Sequence, residues 1–176
     1  MTRDTGLAAV ALMVAVGALT TLSAQSQGNK YSATLVPGQE VPALSTPATG
    51  KIVIDIDEDA GEINYELSFT GITDVRQAHI HFGQPAVSGG IMLWLCKTAT
   101  NPGPTGNTLP TCPANGGAVS GTLASGDVLA VQRLSAGDFA NAVAQIRNGL
   151  AYANVHTGVS PGGEIRGQLQ PGGAHK

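Results

Sequence analysis

Charge is scarce in this chain. Only 12% of its 176 residues are charged, nine Lys plus Arg against twelve Asp plus Glu, and the cations nowhere cluster. A nucleic-acid binder needs a cationic footprint to neutralise phosphates, so that class is excluded, and a polybasic membrane-surface protein is disfavoured for the same reason. There is no Ser-His-Asp arrangement, no glycine-rich phosphate loop and no pair of acid catalysts to suggest a hydrolase or a nucleotide enzyme. Cysteine is limited to Cys96 and Cys112, neither with a CxxC partner or a nearby His, which makes a thiolate metal site a poor reading.

What the chain has in quantity is turn formers: 24 Gly and 10 Pro. That content suits short strands joined by many turns and falls short of low-complexity disorder. The length fits one domain and leaves little room for a second core.

Arg3 precedes an apolar run from Leu7 to Leu22, which ends at the small residues Ser23 and Ala24 and a polar stretch. This is the layout of a secretory signal peptide covering 1–24, although Asp4 departs from a purely positive start. A retained membrane anchor is the competing reading, because the run approaches the lower limit of a spanning helix. The expected organisation is then a flexible mature start at 25–30, a β domain at 31–170 and a frayed tail at 171–176, with no membrane span after cleavage. The protein is expected to be exported, periplasmic or extracellular. In an oxidising compartment Cys96 and Cys112 form a disulfide by default. The bracketed segment, KTATNPGPTGNTLPT, cannot pack a core of its own. Closing a loop of this size contributes on the order of 3 kcal/mol in the chain-entropy model.

In Lys51–Asp57, Ile52, Ile54 and Ile56 share one face; in Glu62–Phe69, Ile63, Tyr65, Leu67 and Phe69 do. Strict alternation marks half-buried strands, and the acidic turn between them, with Gly61 free to take a positive φ, makes a hairpin. Further strands are expected at Tyr31–Val36, Val75–Phe82, Ile91–Cys96, Ala118–Leu123, Leu150–His156 and Glu164–Gln170. The fold class is all-β, an antiparallel sandwich or barrel. One short helix interrupts it: Ser135–Asn148 carries Phe139, Val143 and Ile146 on one stripe, with Ser135 as N-cap, Asp138 as its capping-box acid and Gly149 at the C-terminal end.

Three of the four histidines fall in AHIH at 78–81 and NVHT at 154–157. Along a strand His79 and His81 project together, opposite Ala78, Ile80 and Phe82, so the histidines take the outer or polar face. His156 shares its face with Tyr152 and Asn154. If the two strands are neighbours the three imidazoles converge, and three imidazoles suit Cu, Zn or Ni. The competing reading is a solvated histidine pair with His156 bracing a turn. His175 is a residue of the tail. In GGEIRGQL, Ile165 and Leu169 face one way and Glu164, Arg166 and Gln168 the other. Arg166 is either half of a weak solvated Glu–Arg pair or a guide drawing anions toward the histidines. Asp55, Asp57 and Asp59 have a superficial calcium-loop look, but the glycine is misplaced and the segment reads as a hairpin.

GQEVP at 38–42, AHIH with Gly83, and VHT followed by GGEIRGQL at 162–169 together resemble the CHRD domain, a module named for its repeats in chordin and also found in exported bacterial proteins. The resemblance runs from about Tyr31 to Gln170, and the Cys96–Cys112 insertion also looks like bacterial members. It implies an immunoglobulin-like β-sandwich and brings no established enzymatic activity. More distantly, His79-Ile80-His81 with Gly83, and Val155-His156, look like the copper-ligand motifs of copper/zinc superoxide dismutases, with Arg166 in a place comparable to the anion-guiding arginine. No counterpart of the bridging histidine or the zinc-binding set is present in the sequence, so zinc of the dismutase type is not expected.

Two functions follow as expectations. The first is an exported metal-binding domain with copper as cofactor, held by His79, His81 and His156; were it an enzyme, it would be a superoxide dismutase-like copper oxidoreductase. The second is a non-catalytic exported module that binds another protein, a surface polymer or a copy of itself.

Overall fold

A computed structural model describes Met1 and residues 28–172, position 107 excepted. The expected signal peptide, the start of the mature chain up to residue 27 and the tail from residue 173, with His175, lie outside the described residues. Among the described residues nine strands form two antiparallel sheets, as the alternation predicts, with one α-helix beside them. Strands β1 (Lys30–Leu35), β2 (Thr49–Asp57), β3 (Glu62–Thr70), β6 (Gly117–Ala124) and β9 (Gln170–Pro171) form one sheet in the order β6-β3-β2-β1-β9. Strands β4 (Val75–Phe82), β5 (Gly90–Cys96), β7 (Ala151–Thr157) and β8 (Ile165–Gln168) form the other, in the order β5-β4-β7-β8. The chain is an all-β sandwich.

The core lies between the sheets. Ile52, Ile54, Ile56, Ile63 and Leu67 from one inner face meet Ala78, Ile80, Ala153, Val155 and Ile165 from the other, all essentially solvent-free. Each apolar set is a period-2 set of its strand, so burying one member in register buries all of them. The β2–β3 hairpin pairs Asp57 with Glu62, and Gly61 turns the chain at φ 69°. Asp57 Oδ1 accepts from Ala60 N at 3.0 Å and Asp55 pairs with Lys30, so these carboxylates serve the turn and the sheet.

Two expected elements change shape. The helix α1 spans Phe139–Arg147 and buries Ala142, Val143 and Ile146, with Phe139 packed against the core. Its cap is Asp138, which accepts from Asn141 N at 3.2 Å, and not Ser135. Asp138 N donates to Ser135 O at 3.2 Å, so residues 135–138 close a turn that places the aspartate at the first free helical amide. The expected strand Glu164–Gln170 is divided: β8 belongs to one sheet and β9 to the other, with Leu169 buried at the crossing. Gln170 and Pro171 pair with Ser32 and Tyr31, so the first residue assigned to the tail, Pro171, belongs to a sheet.

Cys96 and Cys112 are disulfide-bonded, with Cα atoms 5.1 Å apart and both residues buried. Lys97 N donates to Pro110 O and Cys112 N to Lys97 O, which closes the base of the loop beside the bridge. Among the described residues no helix is long and apolar enough to cross a membrane.

Candidate metal centre

Strands β4 and β7 are antiparallel neighbours, which brings the two histidine motifs together. The register pairs His79 with Asn154 and His81 with Tyr152 on that side, and His79 with Trp94 on β5. Asn154 in turn pairs with Arg166, and Tyr152 with Gln168, on β8. Opposed residues of an antiparallel ladder share a face. A row Trp94–His79–Asn154–Arg166 therefore runs across the sheet beside a row containing His81, Tyr152 and Gln168, on the face away from the core.

That face is not solvated. His79 is 0% exposed, His156 6%, His81 7% and Arg166 2%. The outer side of the sheet is roofed by loops: residues 36–44 after β1, 83–89 between β4 and β5, and 158–164 between β7 and β8. Every residue of β7 is buried, the apolar ones in the sandwich and the polar ones under the roof. The reading of a solvated histidine face does not hold for this geometry. Alternation correctly assigns the side but is blind to loops that return over it.

The three rings converge. One nitrogen from each of His79, His81 and His156 lies within 4.8 Å of the others. Two ligands of one ion at 2.0–2.1 Å are at most about 4.2 Å apart, so the widest pair closes by roughly half an ångström or more to bind together. His81 Nδ1 donates to Gly89 O at 2.9 Å and His156 Nδ1 to Pro161 O at 3.0 Å. A ring proton held at Nδ1 leaves the Nε2 lone pair bare and aimed, as in the carbonyl-backed histidines of metal sites. His156 Nε2 then accepts from His79 Nδ1 at 3.1 Å.

Two nitrogens remain without a partner. His79 Nε2 and His81 Nε2 are buried and make no hydrogen bond to any of the described residues. A buried unsatisfied polar atom costs about 1–3 kcal/mol, and here two occur in one cluster. These features fit a metal ion: the donor set is all imidazole, one nitrogen of each ring lies within 4.8 Å of the others, and two ring nitrogens are uncompensated by any described residue. The rings are also kept neutral. Burial depresses all three, His156 to about 4 and His79 well below its ordinary value, with its histidine neighbours adding to the effect. Proton competition for the lone pairs is correspondingly weak at neutral pH.

The surrounding side chains form a second layer. The Trp94 ring meets His79 edge-on at 4.3 Å between centroids, and Tyr152 stacks on His81 at 4.8 Å and 5°. Asn154 Nδ2 lies 3.5 Å from Glu40 Oε1, and burial pushes the Glu40 carboxyl up to about 7. Glu164 is buried as well and accepts the Thr157 hydroxyl at 2.7 Å, so it forms no solvated pair with Arg166. Arg166 sits over the Tyr152 ring, 3.4 Å from its centroid, and its Nη2 donates to Gln84 O and Val87 O. A guanidinium 2% exposed does not present itself to anions in solvent. In the sequence Glu40 lies in GQEVP, a motif with no evident chemical role, and Trp94 and Gly89 stand outside the histidine motifs. The signal for Trp94 was its register opposite His79, which the sequence does not print.

Fold and site define the class: an all-β sandwich module whose outer face carries a roofed trio of imidazoles able to hold a metal ion. The family model for the CHRD domain matches residues 31–169, and the chain belongs to that family. No curated protein and no solved structure matches it.

Proposed function

We propose that this chain is an exported CHRD-domain protein that binds one metal ion, copper before zinc, through His79, His81 and His156. The observation that carries the reading is the pair of buried imidazole nitrogens without a partner among the described residues, in a three-histidine cluster where His81 Nδ1 and His156 Nδ1 are backed by carbonyls. Copper is favoured because all-imidazole sites bind divalent copper most tightly of the first-row ions. The intramolecular disulfide suggests export, and a signal peptide at 1–24 is the proposed means.

When bound, copper would supply one-electron redox chemistry of the kind that superoxide turnover uses. The chain's own contribution is to hold three neutral rings, fix which nitrogen of His81 and His156 carries the proton, and keep bulk water out under the loop roof. With Arg166 turned to the loop carbonyls, a store or carrier of copper accords better with this geometry than rapid turnover of an anion does.

The test is titration of residues 25–176 with Cu(II) and Zn(II), followed by EPR, beside a variant with His79, His81 and His156 all changed to Ala. The single Trp of the chain stands against His79, so Cu(II) binding is expected to quench its fluorescence. Absence of a stoichiometric site, or equal affinity in the triple variant, would sink the metal reading and leave the non-catalytic binding module in its place. Superoxide turnover measured on the copper-loaded form separates an enzyme from a carrier.

A further inference from the structure

The segment 83–89 has no core of its own: residues 84–88 are all exposed. It is held by side chains that rise from β7 and β8. Gln168 Nε2 donates to Gly83 O at 3.0 Å, and Arg166 Nη2 donates to Gln84 O at 3.1 Å and to Val87 O at 3.0 Å. The Gly89 peptide is gripped from both sides, its N–H donating to the Tyr152 hydroxyl at 3.1 Å and its carbonyl accepting from His81 Nδ1 at 2.9 Å. No side chain fits at Gly89, because a Cβ there would lie 1.8 Å from Phe82 O. The same two residues act on His81 a second way, as a stack of guanidinium, phenol and imidazole, with 3.4 Å from Arg166 to the Tyr152 centroid and 4.8 Å from Tyr152 to His81.

From this geometry we infer that Arg166 and Tyr152 are positioning residues for His81: they pin the 83–89 loop and the ring stack so that the His81 proton stays on Nδ1 and its Nε2 lone pair faces the cluster. The inference rests on the reading of His81 as a metal ligand for its purpose, but its structural content concerns the metal-free protein. Arginine is required because a planar guanidinium can lie on the phenol face while donating in its own plane to two carbonyls. A lysine ammonium at the same place is a compact point charge that can serve a carbonyl but gives up the stacked plane. Tyrosine is required for the hydroxyl as well as the ring.

The experiment reads the ring directly. Long-range 1H–15N NMR of the metal-free, 15N-histidine-labelled protein reports which His81 nitrogen carries the proton. In the wild type Nδ1–H with bare Nε2 is expected. Arg166→Lys and Tyr152→Phe are expected to give a mixture of the two ring forms at His81, with the His156 signals unchanged. Outer-shell partners of this kind typically change metal affinity by about 10–100-fold, and a loss in that range is expected for Cu(II) in Arg166→Lys, with a smaller one in Tyr152→Phe. Should Arg166→Lys fail to fold, Tyr152→Phe, which keeps the ring stack, decides alone. A wild-type His81 protonated on Nε2, or a folded Tyr152→Phe with wild-type His81 signals, overturns the inference. A wild type that shows the expected ring form but binds no metal instead overturns the proposed function and leaves the positioning role standing.

Discussion

His79 Nδ1 lies 3.1 Å from His156 Nε2, across 77 positions of sequence. Both rings are buried, and among the described residues no carboxylate stands beside either to compensate a charge. A protein selected for stability alone would fill this space with aliphatic side chains, since an apolar group needs no partner. The cluster is a local cost, of the sort that functional sites carry.

That cost is measurable. His79→Leu removes the partnerless Nε2 but also takes away the Nδ1–H that His156 Nε2 accepts, so the two effects offset and the metal-free variant is expected to stay within about 1 kcal/mol of wild type in urea unfolding. The same substitution should abolish stoichiometric Cu(II) binding. A strongly destabilised His79→Leu that still binds copper as wild type does would contradict both halves.

Acid should unfold the metal-free protein through the histidines. His156 titrates near 4 when folded against an ordinary 6.5, chiefly from burial, and His79 and His81 are depressed in the same direction. The unfolded chain therefore binds protons that the folded one refuses, so stability present above pH 6.5 is lost as pH falls toward 4. His156 alone accounts for about 3 kcal/mol of this.

Glu40 acts with the opposite sign. Burial raises its carboxyl to about 7 from 4.5, so the folded state keeps a proton that the unfolded state gives up. Its contribution is full below pH 4.5 and is lost as pH rises through 7. Glu40→Gln, a neutral isostere, is expected to flatten the decline between pH 5 and 8 in urea midpoints while leaving the acid limb intact. An unchanged alkaline limb in that variant would remove Glu40 from the account.

Replacing Cys96 and Cys112 together by Ser is expected to cost about 3 kcal/mol through the freed loop. A Cβ at Gly103, within that loop, would lie 3.1 Å from the Trp94 ring, so the loop packs closely on the indole that touches His79. A red shift of Trp fluorescence on reduction of the wild-type protein, parallel to that of the double variant, is the check.

At the helix, Asp138→Ala should destabilise by about 1 kcal/mol, and Ser135→Ala by much less. Equal losses, compared by thermal melting, would restore Ser135 as the cap.

Much of the sandwich was legible before any coordinates. The Ile52, Ile54, Ile56 set and the Ile63 to Phe69 set announce their strands, because a pleated backbone sends alternate side chains to opposite sides whatever its neighbours do. Val75–Phe82 begins and ends where its pattern does. The helix starts after Asp138 and not after Ser135 because capping depends on one backbone turn, which composition does not specify. The β8–β9 division was invisible for a similar reason: the change of sheet leaves the apolar pattern of Ile165 and Leu169 intact.

The sequence by itself determined the strand faces, the pairing of cysteines in an oxidising setting, and the places of His79 and His81 on one polar strand face and of His156 on another. These follow from local periodicity and residue chemistry, which act at short range along the chain. Only the tertiary structure decided that β4 and β7 are neighbours, that loops roof their outer face, and that Arg166 is turned to Gln84 and Val87. Those are long-range outcomes, set by which strands pair and which loops return over them. Burial, more than residue identity, then turns three ordinary imidazoles into a neutral cluster able to hold a metal ion.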